Sequence, residues 1–237
     1  ELPDIYNAAT TFVDENIRQG RGGKVAIHYL EQKITYQEVF EKVNRTGNAL
    51  KDLGIEIEDR VLVILPDSPE FAYSFFGAIK IGAVAVPTNP WMFAKDYEYL
   101  INDSRARAII VHESTLAEIE KIWDNTSFLR HIIVVGAPRA KALSYDSLIA
   151  NAPDKLDAEK TTKDDVCFWC YTSGSTGNPK GAVHLQHDMI TITELFVTPV
   201  LEMTENDLCF SASKMFFSYG LGNSLYFPFR FGAATVL

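Results

Sequence analysis

Residues Val61–Pro87 read VLVILPDSPEFAYSFFGAIKIGAVAVP. Two short apolar runs, VLVIL (Val61–Leu65) and AVAVP (Ala83–Pro87), bracket a longer apolar segment. VLVIL is rich in β-branched residues and shows no polar alternation, which predicts a strand buried on both faces. Ser68 stands where an N-cap belongs, and Pro69 suits the first helical position because its missing N–H has no partner there in any residue. The helix is expected to reach about Ile81. Gly77, Lys80, Gly82 and Pro87 break up the apolar run, so it reads as a buried helix followed by a buried strand and not as a membrane span. A strand, a covering helix and a second strand at this spacing predict a parallel sheet.

The same pattern extends in both directions. Upstream, Asn7–Arg18 is expected to open the chain as a helix. VAIHY and KITY predict a hairpin around Glu31 and Gln32. Thr35 and Glu38 form a T-x-x-E capping box. In the helix that follows, Tyr36, Val39, Phe40, Val43, Leu50 and Leu53 keep helical spacing up to a stop at Gly54. Downstream come a helix near Lys95–Asp103, strand AIIV, a helix near Leu116–Trp123 and strand HIIVV. Asn151–Asp165, NAPDKLDAEKTTKDD, is polar and charged and predicts a surface linker. Beyond it lie strand VCFWCYT, a glycine-rich loop, strand GAVHL, a helix over about Asp188–Phe196, strand LCFSA, an aromatic segment and a last strand in GAATVL. The predicted fold class is α/β, with mainly parallel sheets covered by helices. The division expected is a first subdomain over about 1–155, a linker over about 151–165 and a second subdomain over 166–237.

The chain has 237 residues, 47% hydrophobic, and a formal net charge of −9. That composition suits a folded protein and argues against a nucleic-acid groove or an anionic membrane surface as the main partner. No signal peptide is legible in ELPDIYNAATTFVDEN, and a cytoplasmic setting is expected. Cys167, Cys170 and Cys209 do not make a disulfide framework. Cys167 and Cys170 form a C-x-x-C, but on a strand residues three apart should face opposite ways and cannot grip one metal. His28, His112 and His131 fall in or near predicted strands and read as structural. No spacing of His, Cys and carboxylates suggests a metal site built by protein alone.

The loop Tyr171–Gly181, YTSGSTGNPKG, carries the chemistry. Phosphate oxygens need many short donors and close backbone approach. Gly174 and Gly177 remove side chains, so backbone N–H groups can turn inward. Thr172, Ser173, Ser175 and Thr176 add hydroxyls, Lys180 adds a positive charge, and Gly181 keeps the exit open. A Walker loop is excluded, because that motif places Lys directly after its second glycine and here two residues intervene.

YTSGSTGNPKG resembles the phosphate loop of the adenylate-forming superfamily, which includes acyl-CoA synthetases, luciferases and the adenylation domains of peptide synthetases. The resemblance extends through ITYQEVFEKVNRTGNALKDLGI, RVLVILPDSPEFAYSFFGAIKIGAVAVPTNP and SRARAIIV, which look like the family's N-terminal half, so the fold implied is a truncated N-terminal large domain. AVHLQHDM and SASKMFFSYGLGNSLYFPFRFGAATVL are similar to benzoate-CoA ligases and their aromatic-acid relatives. His184 matches a His that some relatives keep after the loop; the second His that benzoate ligases often carry is here Gln186, followed by His187. Many superfamily members carry His where this chain has Phe217. The resemblance implies that Phe217, Ser218, Tyr219 and Gly220 line an acid pocket, whose aromatic walls would suit a flat ring. Phe227 and Phe229 are expected to be core.

The resemblance further implies ATP, Mg²⁺ and coenzyme A, with Lys180 and the loop holding the β- and γ-phosphates and Mg²⁺ bridging phosphate oxygens near Thr172 or Thr176. Its acidic Mg²⁺ ligand, ribose-binding Asp, hinge and catalytic Lys would fall beyond Leu237, so the chain alone is expected to be nearly inactive. The implied partners are a small carboxylic acid, ATP and coenzyme A, with no nucleic acid or membrane and a homodimer left open. The competing readings are a ligase for a medium-chain or cyclic aliphatic acid, and a non-catalytic nucleotide-binding module.

Overall fold

The computed structural model describes residues 2–139, 141–172 and 177–237. Residues 8–18 are helical, π-type over Thr10–Asp14 and regular over Glu15–Arg18 (α1). β1 (Val25–Tyr29) and β2 (Gln32–Thr35) form the expected hairpin. α2 (Tyr36–Asp52) starts on the capping box: Thr35 Oγ1 accepts the Glu38 N–H at 3.2 Å, and Glu38 accepts the Thr35 N–H at 2.7 Å. β3 (Arg60–Ile64), α3 (Pro69–Lys80) and β4 (Val84–Pro87) fall where the apolar runs placed them. Ser68 has the extended backbone of an N-cap, but its side chain makes no capping bond.

Next come α4 (Ala94–Ser104), β5 (Ala108–His112), α5 (Leu116–Glu120) and β6 (His131–Val135). β7 (Leu143–Ser144) and α6 (Tyr145–Asn151) were not legible in the sequence, being too short for periodicity to show. β8 (Val166–Thr172) and β9 (Lys180–Leu185) follow. α7 (Asp188–Ile192) continues as a π-type stretch over Thr193–Leu201, and then comes β10 (Leu208–Phe210). The aromatic segment becomes α8 (Ser218–Leu221), a π-type turn over Gly222–Tyr226, and α9 (Phe227–Phe231), before β11 (Ala234–Val236).

Among the described residues the strands form two sheets. The larger has the order β7-β6-β5-β3-β4-β8-β9, and only the β8–β9 pair is antiparallel. The smaller has the order β10-β11-β1-β2, with β11 parallel to both neighbours. Successive residues on a strand point to opposite faces, and the larger sheet uses both. Val61 and Val63 pack with α2 and α3 residues such as Val43 and Phe75, while Leu62 and Ile64 pack with Leu100 of α4 and Ile119 of α5. This is why VLVIL has no polar position.

The linker does not separate the two sheets. Each takes strands from both sides of 151–165, because β8 pairs with β4 and β11 pairs with β1. The segment itself is held on α2: Asn44 donates to the Asp154 carbonyl at 2.8 Å, Arg45 to Ala152 at 2.6 Å and Asn48 to Pro153 at 2.8 Å. Its polar composition reflects surface position, and its own carbonyls supply the anchors.

Candidate functional site

The two ends of the phosphate-loop sequence are paired as the end of β8 and the start of β9. Tyr171 is opposite Gly181 and Thr172 opposite Lys180. Ser173, Gly174, Ser175 and Thr176 lie outside the described residues. Gly177 has φ +113°, a backbone conformation that side chains with a Cβ rarely adopt. Lys180 is exposed at the start of β9. Gly181 leaves room for the rings of β8: a Cβ there would come within 3.1 Å of Trp169 and 3.6 Å of Tyr171. A strand follows the loop, as the sequence predicts, so no helix dipole of the usual kind stands behind it.

β8 runs parallel to β4, so Thr172 and its partner Lys180 lie at the carboxyl ends of the strands, the edge where open α/β sheets bind ligands. The 214–220 segment is tied to the same edge. Asp67, just past β3, accepts the Met215 N–H at 2.9 Å and pairs with Lys214 Nζ at 3.5 Å. Trp91, just past β4, meets the Phe216 ring edge-on at 5.7 Å. Asp67 was missed in the sequence; its signal was the polar turn directly after a buried parallel strand.

The four residues expected around the acid are placed differently from one another. Ser218 lines a cleft of about 440 Å³ with Phe168, His184, Asp188, Leu221 and Tyr226. Phe217 and Tyr219 are 54% and 71% exposed. Gly220 is buried, and a Cβ there would overlap the carbonyl oxygens of Ser213 and Lys214, so only glycine permits this close approach. Phe227 and Phe229 are buried in the core.

His184 stacks on Phe168 at 4.4 Å between ring centroids, with Nδ1 3.2 Å from Asp188. His187 Nε2 lies 3.3 Å from the other Asp188 oxygen. Gln186 is fully buried, and its Oε1 accepts the Ala8 N–H at 2.8 Å. At this position the chain fastens its opening helix to the end of β9.

Cys167 and Cys170 correct the simple alternation argument. A register shift between Val166 and Phe168 breaks the two-residue repeat, and both thiols enter the same core. Burial pushes the Cys170 thiol up to about 12 and raises Cys167 as well. Both are therefore inert, protonated core groups. Among the described residues no group of three or more His, Cys, Asp or Glu could hold a metal. Mg²⁺ carried by phosphates needs few protein ligands. The exposed Thr172 hydroxyl donates to the Lys180 carbonyl at 3.4 Å, and a hydroxyl so placed fits an ion that arrives with a nucleotide. No helix among the described residues is long and apolar enough to cross a membrane.

The AMP-binding enzyme family model matches residues 13–237. The chain is 41% identical to a benzoate–CoA ligase of Thauera aromatica, over 100% of this chain and 45% of that protein. It is 38% identical to a 4-hydroxybenzoate–CoA/benzoate–CoA ligase of Rhodopseudomonas palustris, over 98% of this chain and 43% of that protein. Among solved structures, an anthranilate CoA ligase in complex with anthranoyl-AMP superposes with a TM-score of 0.96 at 38% identity, covering 100% of this chain and 45% of that one. The chain thus spans about half the length of the curated relatives it matches.

Proposed function

Because the chain belongs to the AMP-binding enzyme family, we propose that the protein carrying it activates a benzoate-like aromatic acid with ATP and passes the acyl group to coenzyme A. One observation supports this reading above the others. The stems of the phosphate-loop sequence and the aromatic 214–220 segment are fixed at the same edge of the sheet, which would set a nucleotide site beside an acid site.

In the first step a carboxylate oxygen attacks the α-phosphorus of ATP. The bond to the bridging oxygen breaks, and pyrophosphate leaves. Charge builds on that leaving group, and Lys180 with the loop's N–H and hydroxyl groups is suited to hold it. Thr172, Ser173, Gly174, Ser175, Thr176 and Gly177 would supply those groups. When bound, Mg²⁺ would neutralise part of the phosphate charge, with Thr172 or Thr176 as its nearest hydroxyl. In the second step the thiol of coenzyme A attacks the acyl carbon and AMP leaves. Phe217, Ser218, Tyr219 and Gly220 would line the acid site, with the Ser218 hydroxyl available to a ring substituent.

The activity is proposed for the longer protein, with the 237-residue chain alone nearly inactive. Benzoyl-CoA formation by the chain alone would overturn that part. The main test is acid-dependent ATP–pyrophosphate exchange by the full-length protein, over benzoate, hydroxy- and aminobenzoates, cyclohexane carboxylate and hexanoate. Exchange strongest with an aromatic acid is expected. Exchange with aliphatic acids alone would keep adenylation and discard the substrate class.

A further inference from the structure

Helix α4 touches both stems of the phosphate loop. On the entering side, Tyr171 at the end of β8 donates its hydroxyl to the Asp103 carboxyl at 2.6 Å. On the leaving side, the Tyr99 hydroxyl donates to the Pro179 carbonyl at 2.9 Å. Tyr99 and Asp103 are four residues apart, so they share one face of the helix. Burial, and then the bond to Asp103, push the Tyr171 hydroxyl far above the usual phenol range, which keeps it a donor.

The helix is a firm platform for such contacts. Tyr97, fully buried, donates to the Asn89 carbonyl at 3.0 Å and accepts the Met92 N–H at 3.1 Å. The Ala94 N–H is bonded to Glu118 of α5 at 2.9 Å. Leu100 and Ile101 are buried against the sheet. Gly181, opposite Tyr171, lies against the rings of β8: a Cβ there would press on Trp169 at 3.1 Å and touch the Tyr171 ring at 3.6 Å.

We infer that Tyr99 and Asp103 are positioning residues for the triphosphate: from one helix face they fix where the phosphate loop leaves the sheet and where it returns. The inference rests on the proposed ATP-dependent activation and adds to it a device outside the loop motif. It acts in the half-reaction that uses ATP, and the thiol step that begins from the acyl-adenylate does not need it. A residue that merely holds the fold together would affect both.

The test uses the full-length protein with Tyr99→Phe, Tyr171→Phe and the double variant. Each removes one hydroxyl and keeps the ring that packs on the sheet. Three quantities are read: the dissociation constant for MgATP by calorimetry, the KM for ATP in acid-dependent pyrophosphate exchange, and the rate of thioester formation from pre-formed benzoyl-adenylate. A single variant is expected to weaken MgATP and raise the KM for ATP roughly three- to tenfold, the worth of one hydrogen bond. The double variant should lose more, while the KM for the acid and the rate from the adenylate stay unchanged. Unchanged MgATP binding in the double variant would overturn the inference. An equal loss in every readout would also overturn it, by showing a structural role only. If the wild-type protein shows no acid-dependent exchange yet Tyr99→Phe weakens MgATP, the substrate reading falls and the positioning role stands. If the wild-type protein does not bind MgATP, both fall.

Discussion

The centre of the larger sheet and the stretch from Ile192 to Tyr219 contain similar apolar residues and use them in opposite ways. β3, β4 and β5 are covered on both faces, and Phe71, Phe75 and Phe76 of α3 are fully buried. Between 192 and 219, Leu195 and Phe210 are 72% and 74% exposed, with Val200, Leu201 and Leu208 exposed beside them. Apolar residues therefore stabilise the first region, whereas in the second many of them stay exposed while Val197 and Met215 are fully buried and Phe216 nearly so. The largest expected effect tests this contrast directly. Phe75→Ala should cost about 3–5 kcal/mol in urea unfolding, the range for a buried aromatic. Phe210→Ser, at a position 74% exposed, should cost less than about 0.5 kcal/mol in the same measurement. Equal costs would show that the second region is packed in solution as tightly as the first.

The next largest effect concerns the seam between the opening helix, α2 and α3. Lys80 is fully buried, with Nζ 2.6 Å from Asp14 and 2.7 Å from Asn44. Burial lowers the lysine's pKa and raises that of Asp14, while each charge pulls the other back. Breaking such a pair leaves one charge unpaired in the interior, which costs more than the pair contributes. Lys80→Met is expected to lose about 3 kcal/mol. Lys80→Met combined with Asp14→Leu should regain much of it, because the stranded carboxylate is removed too. A double variant no better than the single one would show that Asp14 reaches water when Lys80 is gone.

The two regions also differed in how legible they were. VLVIL, AIIV and HIIVV were readable because a strand buried on both faces has no polar position to blur the pattern. The Thr35–Glu38 box and Pro69 marked helix starts by local chemistry alone. The hairpin at Glu31 and the strands on either side of the loop were found for similar reasons. Just beyond the second region Gly220, Gly222 and Pro228 conceal a helical stretch, because Gly220 is set by its close approach to the Ser213 and Lys214 carbonyls and not by propensity. The site divides in the same manner. The loop motif declared itself by residue type and order. Asp67, Tyr99 and Asp103 did not, because what brings them to the site is pairing between strands distant in sequence.

A third effect sharpens the contrast through pH. In the unfolded chain the Cys170 thiol ionises near 9.0, whereas in the folded protein burial holds it protonated to about 12. Between those values the folded state binds the extra proton. Stability is therefore fully present below pH 9 and is lost as pH rises towards 12, by roughly 1 kcal/mol per pH unit for one such thiol. Above pH 10 buried tyrosines add to the loss in the same direction, since Tyr6 and Tyr97 are also pushed up to about 12 by burial. Unfolding free energies measured from pH 8 to 10 should fall, and Cys170→Ala should lessen the slope without abolishing it, because burial raises the Cys167 and Cys209 thiols too. An unchanged slope in that variant would assign the alkaline loss elsewhere.

The smallest effect probes whether the two regions unfold together. α2 is capped by Thr35, the last residue of β2 in the smaller sheet, and packs on α3 beside the larger one. The capping box thus sits where the chain passes from one sheet to the other. Thr35→Ala removes the acceptor for the Glu38 N–H and should cost about 0.5–1 kcal/mol. If the sheets unfold as one unit, the whole denaturation curve shifts by that amount with its slope unchanged. If the smaller sheet unfolds first, only an early phase shifts, and the core signal from Trp169 stays where it was. The first outcome is expected, because Tyr36 bridges the regions: its buried hydroxyl donates to the Ala233 carbonyl at 2.6 Å, and its ring packs edge-on against Phe229, which stacks on Phe76 of α3. Separating the sheets would strand that hydroxyl and open this aromatic row, a larger cost than losing the cap.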